Sequence, residues 1–402
     1  MTSKINQIFD NVAGYSIFKN KSVLQISYTP ETIPHRDEQI ESVASVLAPS
    51  LKGERTSNLF VYGKTGTGKT LSVQYVSQEL LKRLKQSGQD HLKIVYVNCK
   101  LRKVADTEYR ILAGIIKELN GNVPATGLPT DTVYSKFVEM IDNKKQIILI
   151  ILDEIDQAVK KISDNFLYTL TRLNSELRNA QISLVGISNS LTFLDDLDPR
   201  VRSSLGEEEL IFPPYNALQL QDILKERAQK SFNEGALDEG VVAKCAAFAA
   251  REHGDARRAL DLLRVAGELA ERDGRKKLTL SYVDQANKKI ERDKMLDAIE
   301  SVPKQFQLVL LAILDLNENR KIEKIFTGDI YNKYQEICEK TKNDILTQRR
   351  VSDIIAEFDM LGLINAKVIS KGRQGRTREI KLILPQNIRV KGREILNTAL
   401  ML

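Results

Sequence analysis

Apolar and polar positions along this 402-residue chain follow two periods, and the period in force changes along the chain. As far as about Pro213, short apolar runs alternate with stretches of helical spacing. Asn58–Tyr62, Lys93–Val97 and Ile182–Ser188 read as strands. Gln146–Leu152 carries the unbroken run IILIIL and ends on acids. A strand apolar on every residue fits the centre of a parallel sheet covered on both faces. Helical spacing follows Gly68, with Leu71, Val73, Val76, Leu80 and Leu84 as an apolar stripe. It returns in Glu108–Leu119, and again after the acids, where Phe166, Leu170, Leu173 and Leu177 predict one helix. Residues 121–131 read as a loop. Strands alternating with helices predict an α/β parallel sheet.

From about Tyr215 to Lys294 only the helical period remains, in Ala217–Ser231, Asp238–Glu252, Asp255–Glu271 and Ser281–Lys294. Beyond it, three helical segments (Pro303–Leu314, Gly328–Lys340, Gln348–Leu361) precede two β-like stretches, Leu363–Ser370 and Arg376–Leu384, joined by a Gly-containing turn. Thr327 and Thr347 are expected to cap helices. Three helices and a hairpin predict a winged helix, a helix-turn-helix variant. The expected division is 1–214, 215–294 and 295–402.

Composition adds little until charge is located. Apolar residues are 42% and charged residues 28%, ordinary for a soluble globular chain. The longest apolar run, Leu308–Leu314, is far short of the roughly 20 residues of a membrane helix. No secretory signal is expected at Met1–Asp10. Cys99, Cys245 and Cys338 lie far apart, and His35, His91 and His253 show no metal spacing. These features predict a protein of the cytoplasm with no membrane partner. The net charge is +7. Lys367–Arg393 holds nine basic residues against one acid, Glu379, which leaves the rest of the chain near neutral. The wing and the basic stretch after it are therefore expected to supply most of the attraction to a nucleic acid.

The sharpest chemical signal is Gly63-Lys64-Thr65-Gly66-Thr67-Gly68-Lys69-Thr70, a full match to G-x-x-x-x-G-K-[ST] between a predicted strand and a predicted helix. Glycines let the loop close around phosphate oxygens, with backbone N–H groups pointing inward. The following helix directs its positive dipole end at the same anion. Lys69 would reach the β- and γ-phosphates of a nucleotide, and Thr70 would offer its hydroxyl to Mg²⁺. The apolar strand ends in Asp153-Glu154. An acidic turn would look the same alone, but the upstream loop makes Asp153 a metal ligand and Glu154 the base that polarises water. Asp156 has no assigned role. Asn189, after the next strand, could hold the γ-phosphate or the water. One arginine of Gly254-Asp-Ala-Arg257-Arg258 could fold back onto the phosphate.

Together the phosphate loop, the Leu-Asp-Glu-Ile-Asp strand end, Asn189, the Gly-Asp-Ala-Arg-Arg helix start and the terminal winged helix resemble the AAA+ initiator family. More narrowly, they are similar to the archaeal origin-recognition-type replication initiators, relatives of the eukaryotic origin recognition complex and its partner loading factor. The resemblance runs from Ile33-Pro-His-Arg36 to the C-terminal hairpin, and is close in Leu197–Gly206 and Phe212-Pro-Pro-Tyr215. It implies an AAA+ sheet with a helical lid, sensor roles for Asn189 and Arg257, and nucleotide contacts for Tyr215 and Arg227. It also implies an arginine finger acting on a neighbouring subunit, for which Arg200 and Arg202 both stand in place.

On the winged helix, Val351, Ile354, Ile355 and Phe358 are expected in the core, leaving Gln348, Arg349, Arg350 and Asp353 for a major groove. The wing would place Lys371, Arg373, Arg376 and Arg378 on phosphates or in a minor groove. By the same resemblance, Lys100, Arg102 and Lys103 are a second DNA contact in the ATPase part. The resulting expectation is an ATP-dependent initiator that binds double-stranded origin DNA and supports loading of the replicative helicase, alongside paralogous initiators. ATP or ADP with Mg²⁺ would serve as the switch, with weak ATPase activity. The competing reading is an AAA+ signalling or transcription-regulating ATPase with the same parts.

Overall fold

The computed structural model describes residues 16–100, 107–124, 127–319, 325–370 and 376–402, with backbone only at 207, 319, 370 and 376. The chain divides into two compact units, one up to Val283 and one from Asp284 onward.

The first unit is built on a sheet of parallel strands. In chain order it runs α1 (Asp37–Leu47), β1 (Asn58–Tyr62), α2 (Lys69–Gln86), β2 (Leu92–Asn98), α3 (Glu108–Glu118), α4 (Thr130–Ile141), β3 (Gln146–Asp153), α5 (Ile155–Ile162), α6 (Asn165–Arg172), β4 (Ala180–Ser188), α7 (Pro199–Leu205) and β5 (Glu207–Ile211). The strands lie in the order β2-β3-β4-β1-β5. Every residue of β3 is buried. Alternate side chains serve opposite cores: Ile148, Ile150 and Leu152 pack with α3, α4 and α6, while Ile147, Leu149 and Ile151 pack with α1 and α2. The unbroken apolar run is thus explained by two covered faces. Cutting Leu149 to Ala would cost about 2–5 kcal/mol.

Helices α1 and α7 add to the expected elements, and three further places depart from the expectation. A helix, α4, begins at Thr130, inside the stretch read as a loop, and buries Val133, Phe137 and Ile141. The single helix expected after β3 is two, because the chain turns at Ser163 with φ +75°. Ser163-Asp164-Asn165 supplies short polar side chains that favour turns over helix. Phe166, Leu170 and Leu173 are nonetheless buried. The third element, β5, is an edge strand on β1 that begins with three glutamates. Such charge suits an edge and hides the apolar alternation.

A helical layer completes this unit: α8 (Ala217–Ser231), α9 (Val241–Arg251), α10 (Ala256–Arg272) and the start of α11 (Leu280–Ser301). The N-terminal segment packs on it. Phe18 stacks on Phe232 with ring centroids 4.7 Å apart, and Lys21 pairs with Glu268 at 2.7 Å.

The second unit contains the end of α11, then α12 (Lys304–Asn319), β6 (Ile325–Phe326), α13 (Thr327–Thr341), α14 (Gln348–Met360), β7 (Ile364–Ser370), β8 (Arg376–Leu382) and α15 (Gln386–Leu400). β6, β8 and β7 form an antiparallel sheet. The winged-helix expectation holds, with corrections. Thr327 is the first helical residue of α13, not its cap; the Asp329 carboxylate accepts from the Phe326 N–H at 3.1 Å instead. Thr347 does cap α14. The residues after the wing form α15, which was not anticipated. Arg389 donates to the Leu384 carbonyl and to Asn317, and Arg393 pairs with Asp315 and Glu318 on α12. These two cations are spent inside the unit. The expected DNA attraction from the stretch after the wing is reduced accordingly.

Candidate functional site

β1 and β4 lie side by side at the centre of the sheet, and the phosphate loop leaves the end of β1 to open α2. The loop requires glycine in a physical sense at Gly66. Its φ is +69°, and a Cβ there would sit 1.7 Å from the Asp255 carboxylate. Asp255 caps α10 by accepting from the Arg257 and Arg258 N–H groups, and Thr65 Oγ1 reaches its other oxygen at 3.3 Å. The Ala256 N–H donates to the Gly66 carbonyl at 3.2 Å. The helical layer therefore begins on the loop itself.

Lys69 is buried. Its Nζ donates to the Gly63 and Lys64 carbonyls, both at 2.7 Å, and to Asn189 Oδ1 at 3.0 Å. Burial lowers its pKa from 10.5 to about 8, with the nearby Asp153 opposing the shift. Thr70 Oγ1 donates to Asp153 Oδ2 at 3.0 Å. A hydroxyl beside a carboxylate is the donor set that suits a hard cation such as Mg²⁺. Among the described residues no cluster of three or more His, Cys, Asp or Glu is placed to hold a metal. A metal here would take its remaining ligands from the bound phosphates and water. Glu154 stands in the left-handed region at φ +54°, a conformation that costs a non-glycine residue energy and is typical of functional turns. Its carboxylate lies 3.5 Å from Lys100 Nζ.

These residues face one cavity of about 370 Å³, within the range of ligand sites. Thr65 to Thr70, Asp153, Glu154, Asn189, Tyr215, Arg227 and Arg257 all line it. Gly63 and Lys64 do not; they contribute carbonyls that hold Lys69. The two arginines of α10 separate clearly. Arg257 faces the cavity, whereas Arg258 is buried and pairs with Glu252 at 3.1 Å. Arg227 is 7% exposed and stacks over Tyr28 at 4.5 Å. Its Nη1 has no hydrogen-bond partner among the described residues, and burial lowers its pKa. A buried guanidinium with an unused donor at a cavity wall is fitted to an anion.

Sequence reasoning missed three contributors. Arg36 is 2% exposed, donates to the Thr67 carbonyl at 2.8 Å and the Pro213 carbonyl at 2.5 Å, and lies over the Tyr215 ring at 3.8 Å. It binds the loop to the segment before α8. Tyr96, on β2, donates to Asp153 Oδ2 at 2.5 Å, and the N-terminal strap, including Gln25 to Pro30, walls the cavity. Nothing in their local spacing marks them, since their partners are distant in sequence.

Arg200 and Arg202 lie elsewhere, on the surface around α7. Arg200 pairs with Asp198 at 3.1 Å and Arg202 with Asp195 at 2.9 Å. Arg102 and Lys103 fall outside the described residues.

In the second unit, Val351, Ile354, Ile355 and Phe358 are fully buried and Gln348, Arg349, Arg350 and Asp353 are exposed. Gln348 and Arg349 share a groove with Thr327, Thr377 and Arg378. Arg378 is half-buried and donates to the Ser352 carbonyl at 2.7 Å, tying the wing to α14. Arg376 opens β8 opposite Ser370, while Lys371 and Arg373 fall outside the described residues. No helix among the described residues is long and apolar enough to cross a membrane.

Three family models match: an AAA domain over residues 52–194, a Cdc6 AAA+ ATPase-type lid domain over 221–288, and a CDC6 C-terminal winged helix domain over 297–391. The AAA match implies nucleotide binding. An ORC1-type DNA replication protein of Thermococcus onnurineus is 54% identical over 383 residues, 94% of this chain and 91% of the relative. ORC1-type DNA replication protein 1 of Methanosarcina mazei is 52% identical over 373 residues, 92% and 89% respectively. Among solved structures, the Aeropyrum pernix ORC1 protein in complex with DNA has a TM-score of 0.83 and 44% identity, covering 96% of this chain and 99% of that one. Cdc6p from Pyrobaculum aerophilum, at 23% identity and TM-score 0.60, shares the fold.

Proposed function

This chain belongs to the ORC1-type DNA replication proteins, and from that membership we propose that it is an ATP-switched initiator that binds double-stranded origin DNA and supports loading of the replicative helicase. The observation that carries the switch is the direct bonding of the phosphate loop to the start of α10 through Thr65, Gly66, Asp255 and Ala256. Through these bonds a ligand on the loop would bear on the start of α10.

ATP or ADP would sit in the cavity of the first unit. Backbone N–H groups of the loop, Lys69, Arg227 and Arg257 supply positive charge to the phosphates, and Tyr215 and the strap flank the rest of the nucleotide. Thr70 and Asp153 would hold Mg²⁺, which spreads the phosphate charge when bound. Glu154 accepts the proton of the attacking water, and Asn189 orients that water or the terminal phosphate. Arg200 or Arg202 would complete the site of a neighbouring copy or paralogue, which makes hydrolysis by a lone chain weak. Gln348, Arg349, Arg350 and the wing residues would contact DNA, with Lys100, Arg102 and Lys103 as a second contact.

The lowered pKa of Lys69 gives a signed prediction. Phosphate favours the charged lysine, so the ligand-free protein gives up this proton near pH 8 and the complex keeps it to higher pH. The charge-dependent affinity is complete below pH 8 and falls above it, by up to about tenfold per pH unit. Calorimetric titration with ADP should show weaker binding at pH 9 than at pH 7, with proton uptake at the higher pH. Affinity independent of pH would contradict this.

Nuclease footprinting with ATP on the origin region of the source genome, against promoter DNA of equal length, tests the function. Preferential protection of origin DNA is expected; equal protection would favour a transcription regulator.

A further inference from the structure

Asp156 is a buried carboxylate that the mechanism above leaves without a task. It lies in the first turn of α5, two residues beyond Glu154, and is 5% exposed. Its Oδ1 accepts from Ser188 Oγ and from the Asn189 N–H, both at 3.3 Å, and its Oδ2 accepts from Gln157 Nε2 at 2.7 Å. Ser188 is the buried last residue of β4. Asn189 in turn accepts from Lys69 Nζ through its side-chain oxygen. One carboxylate thus joins the turn that carries Glu154 to the residue that follows β4, and through it reaches the phosphate-loop lysine.

A helix-dipole role would not require this arrangement. An acid in any exposed position of the first turn serves the dipole without desolvation. Burying a carboxylate is costly unless donors satisfy it, and two of the donors here come from the last residue of β4 and the residue after it, not from α5. Those two donors bracket Asn189 at its own backbone and at the residue before it. Asn189 lines the cavity, and with its side-chain oxygen held by Lys69 it has its side-chain nitrogen left to offer a ligand.

We propose that Asp156 is a positioning residue for ATP hydrolysis: it fixes Asn189 relative to Glu154, so that the amide and the base address the same water and terminal phosphate. This rests on the ATPase reading given above. Asp156 does not line the cavity and acts through Asn189, which does. The role needs its oxygen in place, not its charge.

Steady-state kinetics and binding of a non-hydrolysable ATP analogue test it. Asp156→Ala should lower kcat by at least about tenfold and leave the analogue Kd within about threefold. Asp156→Asn keeps an oxygen for Ser188 and Asn189 and should restore kcat to within about threefold of the parent. In the double variant, Asp156→Ala should add little to the loss from Asn189→Ala, because both remove the same positioning. If Asp156→Ala does not fold, Ser188→Ala removes one anchor alone and should lower kcat about two- to fivefold at constant Kd. Parent-like kcat in Asp156→Ala or in Ser188→Ala, an Asn variant as impaired as the Ala variant, or fully multiplicative losses in the double variant would overturn the proposal. A parent protein with no turnover would overturn the ATPase reading itself, and this proposal with it.

Discussion

Glu154→Gln is expected to bind ATP as the parent does and to lose turnover by about 10²–10⁴-fold, the usual worth of a positioned general base. The amide keeps the size and the left-handed backbone of Glu154, so the loop, the cavity and the Thr70–Asp153 pair stay in place. What disappears is the oxygen able to take a proton from water. Phosphate release measured beside analogue binding separates the two effects. Unchanged turnover would remove Glu154 from the chemistry. Weakened binding at constant turnover would make it a structural residue of the turn. Asp153→Asn should differ, because Asp153 accepts from both Thr70 and Tyr96 and its loss disturbs binding as well.

The second large effect concerns DNA. Replacing Arg349 and Arg350 together with Ala should lower DNA affinity by about 10- to 1000-fold at moderate salt. It should also flatten the slope of log K against log salt by about two if both reach phosphates. A lost base contact would instead relax sequence preference with little change of slope. Both side chains are exposed at the first turn of α14, and neither belongs to the buried set Val351, Ile354, Ile355 and Phe358. The fold should therefore survive the change. Fluorescence anisotropy across a salt series reads the outcome, and an unchanged affinity would take α14 off the DNA. Arg378 is a poorer choice for the same test, since its bond to the Ser352 carbonyl makes it part of the wing's own attachment.

Legibility in the sequence tracked how local the determining physics is. The run IILIIL gave away β3 because each of its residues is buried, and alternate ones enter opposite cores. The phosphate loop was legible because anion binding by backbone N–H groups demands glycines at fixed spacing. The apolar face of α14 was legible from four residues at helical spacing. β5 was not, because an edge strand with one partner tolerates three glutamates. α15 was hidden by its charges, yet Ile388, Gly392, Leu396 and Leu400 recur every four residues and are buried. The count of basic residues likewise overstated the DNA-facing charge, since Arg389 and Arg393 are bound to α12.

The site divides the same way. Lys69, Thr70, Asp153, Glu154 and Asn189 converge as their spacing implied. Arg257 and Arg258 are neighbours that only the fold could separate, one facing the cavity and the other held by Glu252. Arg36, Tyr96, Asp156 and Asp255 act on partners dozens to hundreds of residues away, or through loops that meet only when folded. Arg36, Asp156 and Asp255 stand inside motifs the sequence displays, but their partners, and so their tasks, emerge only in the fold.

The initiator reading is tested most directly by occupancy of this protein along its own chromosome, mapped by crosslinking and immunoprecipitation beside the measured replication start points. The expected result is occupancy concentrated at a replication start and reduced when Arg349 and Arg350 are both replaced with Ala. Occupancy spread over promoters, with no enrichment where replication begins, would contradict it.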